Sequence, residues 1–209
     1  MRIGIIGAGR IGGNAARLFA RAGHEVLLSY SRDPAKLEAQ AAEIGASAGT
    51  PAEAARFGEV VMLSVPWTRI DEVLKEAGSL DGKIVVDTTN QFGPDGLEPL
   101  PEGRTAAEVN QARMPGARYT KAFNTLTSGF QAQAAGRTGP DRVAMFLCGD
   151  DADAKAAVAA LIDDAGFVAI DVGGTADAAI MEAPRREGAV YGEEFKKQEA
   201  IEFLQRARA

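Results

Sequence analysis

The strongest constraint on the fold of this chain is a glycine motif close to its start. Residues 3–13 read IGIIGAGRIGG, in which Gly7, Gly9 and Gly12 form the pattern GxGxxG. An apolar run with the character of a strand precedes the motif, and a second such run comes after the helix that leaves it. In that helix, apolar residues recur at helical spacing: Ile11, Ala15, Leu18, Phe19 and Ala22. A strand, a glycine turn and a helix in this order predict the first unit of a dinucleotide-binding fold.

The chemistry of a pyrophosphate site accounts for each position of the motif. Gly7 allows a tight turn, Gly9 lets the backbone approach the pyrophosphate, and Gly12 lets the helix pack closely on the strand. The N-terminus of the helix, around Arg10 and Ile11, offers free N–H groups and a partial positive charge to phosphates. The side chain of Arg10 either adds charge near the pyrophosphate or points into solvent.

The end of the second strand bears on which dinucleotide is bound. An NAD site places Asp or Glu about 20 residues after the motif, where it accepts hydrogen bonds from the ribose 2′-OH. This chain has Ser31 and Arg32 there, and a hydroxyl beside a guanidinium suits a 2′-phosphate. Asp33 and Pro34 are typical of a helix start, so we expect the Asp33 carboxylate to bind backbone N–H groups. Lys36 would lie in the first turn near the same phosphate, and the predicted cofactor is NADP(H).

The rest of the chain predicts one α/β domain. Short β-branched runs alternate with alanine-rich helical stretches up to about residue 172, a pattern typical of a parallel sheet with crossover helices. The candidate strands are Arg2 to Ile6, Glu25 to Leu28, Glu59 to Leu63, Lys83 to Val86, Arg118 to Lys121, Arg142 to Leu147 and Phe167 to Asp171. A second helical stripe consists of Ala157, Val158, Leu161, Ile162 and Ala165, and Gly166 ends it.

We therefore predict a doubly wound, mostly parallel sheet in residues 1–178. Residues 179–209 would form a short helical tail that packs on this domain or on a partner subunit. Residues 90–104, NQFGPDGLEPLPEGR, are rich in Pro and Gly and too irregular for an element of secondary structure. They leave the carboxyl end of a strand, where long loops are often functional.

Composition excludes several classes of function. The net charge of −6 argues against a nucleic-acid surface. Cys148 is the only cysteine and His24 the only histidine, which excludes an intrachain disulfide and a Cys/His metal cluster. We expect no metal site, although carboxylates alone could form one, and Cys148 is expected to be a small buried hydrophobe. Without a signal peptide or a run that could span a bilayer, the chain is expected to be cytoplasmic and to have no membrane partner.

The reactive end of a bound dinucleotide is expected across the carboxyl ends of the strands. The stretches that leave those ends are SVPW (64–67), DTTNQF (87–92) and KAFNTL (121–126). They supply hydroxyls, amides and flat apolar surface, but no convergent acid/base set. Asp87 is interpreted as a strand-end or capping residue, and Lys121 as either an ordinary strand-end charge or a titratable candidate. Carbonyl reduction commonly needs a proton donor, whereas hydride transfer between stacked rings mainly needs contact without water, so the loops favour ring-to-ring transfer.

In their order along the chain, GAGRIGG, SYSR, SVPW, DTTNQF, KAFNTL and LCGDD closely resemble the family of NADPH-dependent oxidoreductases that act with the deazaflavin coenzyme F420. The resemblance implies a Rossmann fold, direct hydride transfer without a covalent intermediate, and a homodimer. It implies NADPH bound by Gly7, Gly9, Gly12, Ser31, Arg32 and Lys36. It places the nicotinamide near Val65, Pro66 and Asn90 and the second ring close to Phe123 and Asn124. Ser64 and Trp67, from the same loops, complete the expected pocket, in which no catalytic residue is assigned.

Other acceptors and other functions stay open at this point. A free flavin, a quinone or another small acceptor is compatible with the same motifs. A non-enzymatic NADP(H) sensor would explain the lack of an acid/base set, with residues 90–104 reordering on binding. Hydroxyacid and imino-acid dehydrogenases share the N-terminal half, but they add a large helical domain that the short remainder of this chain cannot form.

Overall fold

The computed structural model describes residues 1–31 and 33–207 of the chain. Its strands are, in chain order, β1 (Arg2–Ile6), β2 (Glu25–Ser29), β3 (Ser47–Gly49), β4 (Val60–Leu63), β5 (Ile84–Asp87), β6 (Phe92–Gly93), β7 (Gly96–Leu97), β8 (Arg118–Ala122), β9 (Ala144–Gly149) and β10 (Val168–Asp171). Its α-helices are α1 (Arg10–Arg21), α2 (Pro34–Ile44), α3 (Pro51–Phe57), α4 (Ile70–Ala77), α5 (Ala106–Arg113), α6 (Ser128–Ala134), α7 (Ala152–Asp164) and α8 (Lys197–Ala207). Shorter 3-10 helices span Trp67–Arg69, Gly139–Asp141 and Thr175–Met181. Within the described ranges, no helix is long and apolar enough to cross a bilayer.

Eight strands form one sheet in the order β3-β2-β1-β4-β5-β8-β9-β10. The six strands from β3 to β8 are parallel, and the strand order reverses direction between β1 and β4. β9 pairs antiparallel with β8, and β10 runs parallel to β9. The prediction of a doubly wound, mostly parallel α/β sheet is confirmed. The carboxyl ends of β1, β4, β5 and β8 consequently lie along one edge, where such folds bind their ligands.

Local signals account for the two helices that the sequence predicts from apolar periodicity. Helix α1 ends at Arg21, and Gly23 follows with φ +88, a left-handed conformation that suits glycine. Helix α7 begins at Ala152, after the N-cap residue Asp151, whose side chain accepts a hydrogen bond from the N–H of Ala154. It ends one residue before Ala165, and Gly166 follows with φ +92. Both predicted helices and their terminating glycines are confirmed.

Three features of the fold differ from the prediction. The three-residue edge strand β3 was not predicted, and its short and mostly exposed sequence carries no strand periodicity. Residues 90–104 are not wholly irregular, because β6 and β7 pair as a hairpin that turns at Gly96, with φ +125. The reversal of β9 depends on pairing between distant segments, to which periodicity along the chain is blind.

The C-terminal residues lie against the same sheet. The carbonyl of Phe195 accepts a hydrogen bond from the N–H of Ala144 at 2.8 Å. The Phe195 ring packs edge-to-face on Phe146, with 5.7 Å between centroids, and contacts Phe203 of α8 at 5.1 Å. The 3-10 helix Thr175–Met181 runs across residue 178, and the division of the chain into 1–178 and 179–209 stays a prediction.

Candidate active site

Two glycines of the motif are required by the fold itself. Gly7 has φ +116, and a Cβ there would lie 2.1 Å from the carbonyl oxygen of Ser64. A Cβ on Gly12 would lie 2.0 Å from the carbonyl oxygen of Gly7. These approaches are too close for any side chain, so the loops that follow β1 and β4 can meet only where the chain has glycine.

Gly9 differs from both. It is exposed, its φ of −74° is ordinary, and a Cβ built on it meets nothing within 4 Å. The protein alone therefore does not require glycine at this position. Gly9 precedes α1, and its own residue type provides no capping side chain for the N–H groups of Arg10 and Ile11. This is the geometry of a helix N-terminus prepared for an anion, with space left for backbone contact.

A surface depression of about 300 Å³ adjoins Gly9. Its polar lining comes from the first two turns of α1 and from the neighbouring helices: Arg10, Asn14, Arg17, Gln40 and Ser128. Arg17 is paired with Glu43 at 2.7 Å. Arg10 is exposed and lines the same depression, and its role toward a pyrophosphate stays a prediction.

The segment between β2 and α2 has the arrangement expected at the start of a helix. The N–H of Lys36 donates to the Asp33 carboxylate at 3.2 Å, and Pro34 is the first residue of α2. The interpretation of Asp33 as an N-cap is therefore confirmed, and its carboxylate is engaged with the backbone. The hydroxyl of Ser31 accepts from the N–H of Asp33 at 3.3 Å. Ser31 and Lys36 are both exposed, whereas Arg32 lies outside the described residues.

Among the predicted pocket residues after β4, the side chains take different directions. Pro66 is exposed and Ser64 is half-buried, and the hydroxyl of Thr88 donates to the Ser64 hydroxyl at 3.1 Å. Val65 is buried, and so is Trp67, whose ring lies 4.7 Å below the guanidinium of Arg113. Trp67 therefore belongs to the core, although the sequence predicts it as flat surface at the pocket.

Asn90 and Asn124 form a reciprocal amide pair at the ends of β5 and β8. The side-chain amide of Asn90 donates to the main-chain carbonyl of Asn124 at 3.0 Å. The side-chain amide of Asn124 donates to the side-chain oxygen Oδ1 of Asn90 at 3.2 Å. Phe123, just before Asn124, has φ +60 and is 1% exposed. Its ring packs edge-to-face on Phe19 at 5.9 Å, so it lies in the core and does not offer a face to a second ring.

Behind this pair lies an enclosed charged cluster, made of Asp87, Lys121 and Glu182. Asp87 and Lys121 have no exposed side-chain surface, and their charged atoms are 3.2 Å apart. Glu182 Oε1 lies 3.8 Å from Lys121 Nζ, and its carboxylate also accepts from the N–H groups of Ala106 and Ala107, at the start of α5. Asp87 is a strand-end residue as interpreted, but the reading of Lys121 as an ordinary strand-end charge is wrong.

Burial and nearby charges shift the pKa values of Asp87 and of two groups near the cluster, Tyr119 and Cys148. Burial alone would raise the pKa of Asp87, but the Lys121 charge and hydrogen bonds from Asn110, Tyr119 and Thr89 outweigh it and lower that pKa. Burial and the neighbouring Asp87 carboxylate raise the pKa of Tyr119 well above its usual value. Cys148 is buried as expected, and burial raises the pKa of its thiol to about 12.

Residues 181–192, here called the crossing segment, run over the ends of β5 and β8. The Asn124 amide donates to the carbonyl of Met181 at 2.7 Å, and the N–H of Ala183 donates to Asn90 Oδ1 at 3.3 Å. At the far end, the N–H of Gly192 donates to the carbonyl of Thr125 at 2.8 Å. The sequence alone did not predict this placement, because the segment has no periodicity and its partners are distant along the chain.

The crossing segment also places Tyr191 beside Phe92 of β6. The two ring centroids are 6.5 Å apart, and Phe92 is 47% exposed, which is unusual for an aromatic side chain. Phe92 follows Asn90 by two residues, and its N–H donates to the main-chain carbonyl of Asn90 at 2.7 Å. The flat apolar surface at this edge of the sheet therefore comes from Phe92 and Tyr191, and not from Trp67 or Phe123.

Residues 2–91 match the family described as NADP oxidoreductase, coenzyme F420-dependent. The match covers fewer than half of the 209 residues, all of them in the N-terminal part of the chain. The matched range contains the glycine motif, the end of β2, and the strand ends that carry Ser64 and Asn90. The chain is accordingly a member of a family of NAD(P)-dependent oxidoreductases.

Known proteins resemble this chain over most of its length. A hypothetical protein from Sinorhizobium meliloti is 30% identical, with a TM-score of 0.80 over 94% of this chain and 96% of its own. A proposed F420-dependent NADP-reductase from Arthrobacter sp. FB24 is 29% identical, with a TM-score of 0.71 over 86% and 87%. Metalloreductase STEAP3 from Rattus norvegicus is 30% identical over 87% of this chain, which spans 36% of that protein.

We predict that Gly9→Ala separates ligand binding from folding. Because the site has open space and an ordinary φ, the free energy of unfolding should change by less than about 1 kcal/mol. The added methyl would occupy the surface that a pyrophosphate must approach, so the dissociation constant for NADPH should rise at least about tenfold. Fluorescence titration with NADPH and thermal unfolding measure the two effects.

Gly136→Ala is the matched control, because Gly136 also has nothing within 4 Å of a built Cβ. It should change neither quantity. Equal NADPH affinity in Gly9→Ala and the unchanged chain would show that no phosphate lies at Gly9.

Proposed function

We propose that the chain is an NADPH-linked oxidoreductase that transfers a hydride directly between NADP(H) and a ring-type acceptor, with coenzyme F420 as the first candidate. The observation that carries this proposal is Gly9, a glycine that the fold does not need, placed at the N-terminus of α1. Membership of an NADP oxidoreductase family supports the same class of reaction.

The residues present fit a bound NADP(H). The backbone N–H groups at Arg10 and Ile11 would hold the pyrophosphate. Ser31, Arg32 and Lys36 would hold the 2′-phosphate, and the engagement of Asp33 as a helix cap keeps its carboxylate from competing for a ribose hydroxyl. When bound, NADPH supplies the hydride. The side chains of this chain have only to orient the two rings and exclude water.

The chemistry of the described strand ends supports ring-to-ring transfer. The titratable groups at the ends of β5 and β8, Asp87 and Lys121, are fully enclosed and paired with each other. A general acid must reach the group that it protonates, and neither of these can do so without exposing a buried charge. Hydride transfer between stacked rings requires alignment and exclusion of water, which the fixed Asn90–Asn124 pair would provide.

The aromatic pair supports a planar acceptor. Phe92 and Tyr191 lie next to Asn90 and Asn124 and expose apolar surface that the core does not use. Aromatic faces favour offset or edge-on contact with other ring systems. The name of the Arthrobacter protein supports F420 as that acceptor, and the name of STEAP3 makes a ferric chelate worth testing. A homodimer and a cytoplasmic location stay predictions.

The direct test is to incubate the purified protein with NADPH and one acceptor at a time. F420, FMN, a quinone, a ferric chelate and small carbonyls form the panel, and NADPH oxidation is followed by its absorbance. We expect the fastest oxidation with F420, followed by free flavin. Oxidation with none of them would sink the enzymatic proposal. Tight NADPH binding without turnover, with a ligand-dependent change in association, would favour the alternative of an NADP(H) sensor.

Arg32→Ala tests the choice of cofactor. We expect a loss of NADPH affinity of about 1.5–3 kcal/mol, the size of a charge-assisted hydrogen bond, while NADH binding changes little. Titration of both cofactors against the variant and the unchanged chain gives the two differences. Equal losses for NADPH and NADH would mean that Arg32 does not contact the 2′-phosphate.

Phe92→Ala tests the proposed acceptor face. Removing an aromatic contact worth about 0.5–1.5 kcal/mol should raise the KM for the acceptor about three- to tenfold, with NADPH affinity unchanged. The control is Phe130→Ala on α6. It deletes a partly buried ring that lies under the guanidinium of Arg137. An acceptor KM that is the same in both variants and in the unchanged chain would remove Phe92 from the acceptor site.

A further inference from the structure

The shortest hydrogen bond of the Lys121 ammonium is not made to a carboxylate. Lys121 Nζ lies 2.7 Å from the main-chain carbonyl of Thr89, against 3.2 Å to Asp87 and 3.8 Å to Glu182. Asp87 and Asn110 also bind Thr89. Its N–H donates to Asp87 Oδ1 at 2.8 Å, and its hydroxyl accepts from the Asn110 side chain at 3.1 Å. All three polar groups of Thr89 are therefore bound by one enclosed network.

Thr89 is the residue directly before Asn90. On the other side of the network, Lys121 comes two residues before Phe123, whose left-handed backbone turns the chain toward Asn124. The ammonium thus links the backbone next to Asn90, through the carbonyl of Thr89, to the strand that leads to Asn124. Through Glu182 it also fixes the start of the crossing segment, which bonds to both amides.

Stability alone is a poor explanation for this arrangement. Removing two charges from water costs several kcal/mol per ion, and well-packed apolar residues commonly serve a core equally well or better. An ion pair would also be satisfied by Lys121 and Asp87 without any contact to Thr89. What the ammonium adds is a charge-assisted bond that fixes one carbonyl at the end of β5.

We propose that Lys121 is a positioning residue, which sets the Asn90 amide against the nicotinamide ring by holding the carbonyl of Thr89. The proposal rests on the proposed function, because it takes the nicotinamide to lie at the Asn90–Asn124 pair. Lys121 itself touches neither ring and exchanges no proton with the substrate.

The test uses the double variant Lys121→Met with Asp87→Asn. Lys121→Met alone would leave a buried carboxylate without its partner charge and would destabilise the fold strongly. The double variant removes both charges, while the carboxylate of Glu182 keeps the N–H groups of Ala106 and Ala107. At Thr89 the variant removes the ammonium from the carbonyl, while an amide oxygen at position 87 can still accept from the Thr89 N–H. It also changes the acceptor that Asn110 and Tyr119 share on Asp87 and leaves Glu182 without the ammonium.

The matched control is Arg118→Met with Asp151→Asn. Arg118 and Asp151 form a two-pronged ion pair at 2.7 and 2.8 Å, and Arg118 begins the same strand at its opposite end. The control deletes one cation from β8 and one carboxylate from the N-cap of α7, without touching the network around Thr89. Any effect common to both double variants reflects strand stability alone.

Three quantities are measured: the dissociation constant for 2′,5′-ADP, the emission spectrum and lifetime of bound NADPH, and kcat with the best acceptor. In the Lys121 double variant we expect 2′,5′-ADP binding to stay within about twofold, because that ligand lacks the nicotinamide. The fluorescence of the bound nicotinamide should change, and kcat should fall about tenfold, the scale of a small misalignment. The Arg118 double variant should show none of these changes.

A folded Lys121 double variant with unchanged fluorescence and unchanged kcat overturns the proposal. If the native chain transfers no hydride to any acceptor, the proposed function fails, and the fluorescence of bound NADPH alone decides the role of Lys121. If the double variant does not fold, Asn110→Ala takes its place, because it removes the bonds to the Thr89 hydroxyl and to Asp87 Oδ2 while Asp87 and Lys121 both stay. It should give a smaller change in the same direction, and no change would again overturn the proposal.

Discussion

The buried ammonium of Lys121 is the interaction on which the arrangement of the candidate site depends. Three segments that are distant along the chain, the end of β5, strand β8 and the crossing segment, meet at one charged atom. A buried charge tolerates little displacement of its partners, because each lost contact leaves an unpaired charge in a medium of low dielectric constant. The cluster therefore holds the ends of β5 and β8 together, and with them Asn90 and Asn124.

The glycine motif imposes a second constraint, which separates what the fold needs from what a ligand needs. Gly7 and Gly12 are fixed by contacts within the protein, since a Cβ on either would meet backbone near 2 Å. A Cβ on Gly9 meets nothing, so contacts within the protein do not explain its residue type, and its place at the N-terminus of α1 points to a ligand. The three glycines are equivalent in the sequence pattern, but the physical reason for glycine is not the same at each position. The one that the fold could replace is the one that indicates a ligand.

Sequence reasoning succeeded where the signal is local. Strand β1, the stripe of α1 and the Asp33 cap follow from periodicity and capping within a few residues, and all are present. It failed for features made by distant partners. Nothing near Lys121 in the sequence indicates that Asp87 and Glu182 will enclose it, and nothing near Phe123 indicates that Phe19 will bury its ring. Exposure of Phe92 likewise follows only from the hairpin that carries it.

These failures change the chemical interpretation of the site. On sequence alone, Lys121 was a titratable candidate at a strand end, and a proton donor for carbonyl reduction stayed conceivable. In the structure it is held by Asp87 and by the carbonyl of Thr89, with no exposed surface from which a proton could pass. The same residue that would have supplied acid catalysis instead fixes backbone beside the amide pair. Two strand ends whose buried charges, Asp87 and Lys121, are bound to each other and to backbone suit a reaction in which alignment of two rings, and not proton transfer, limits the rate.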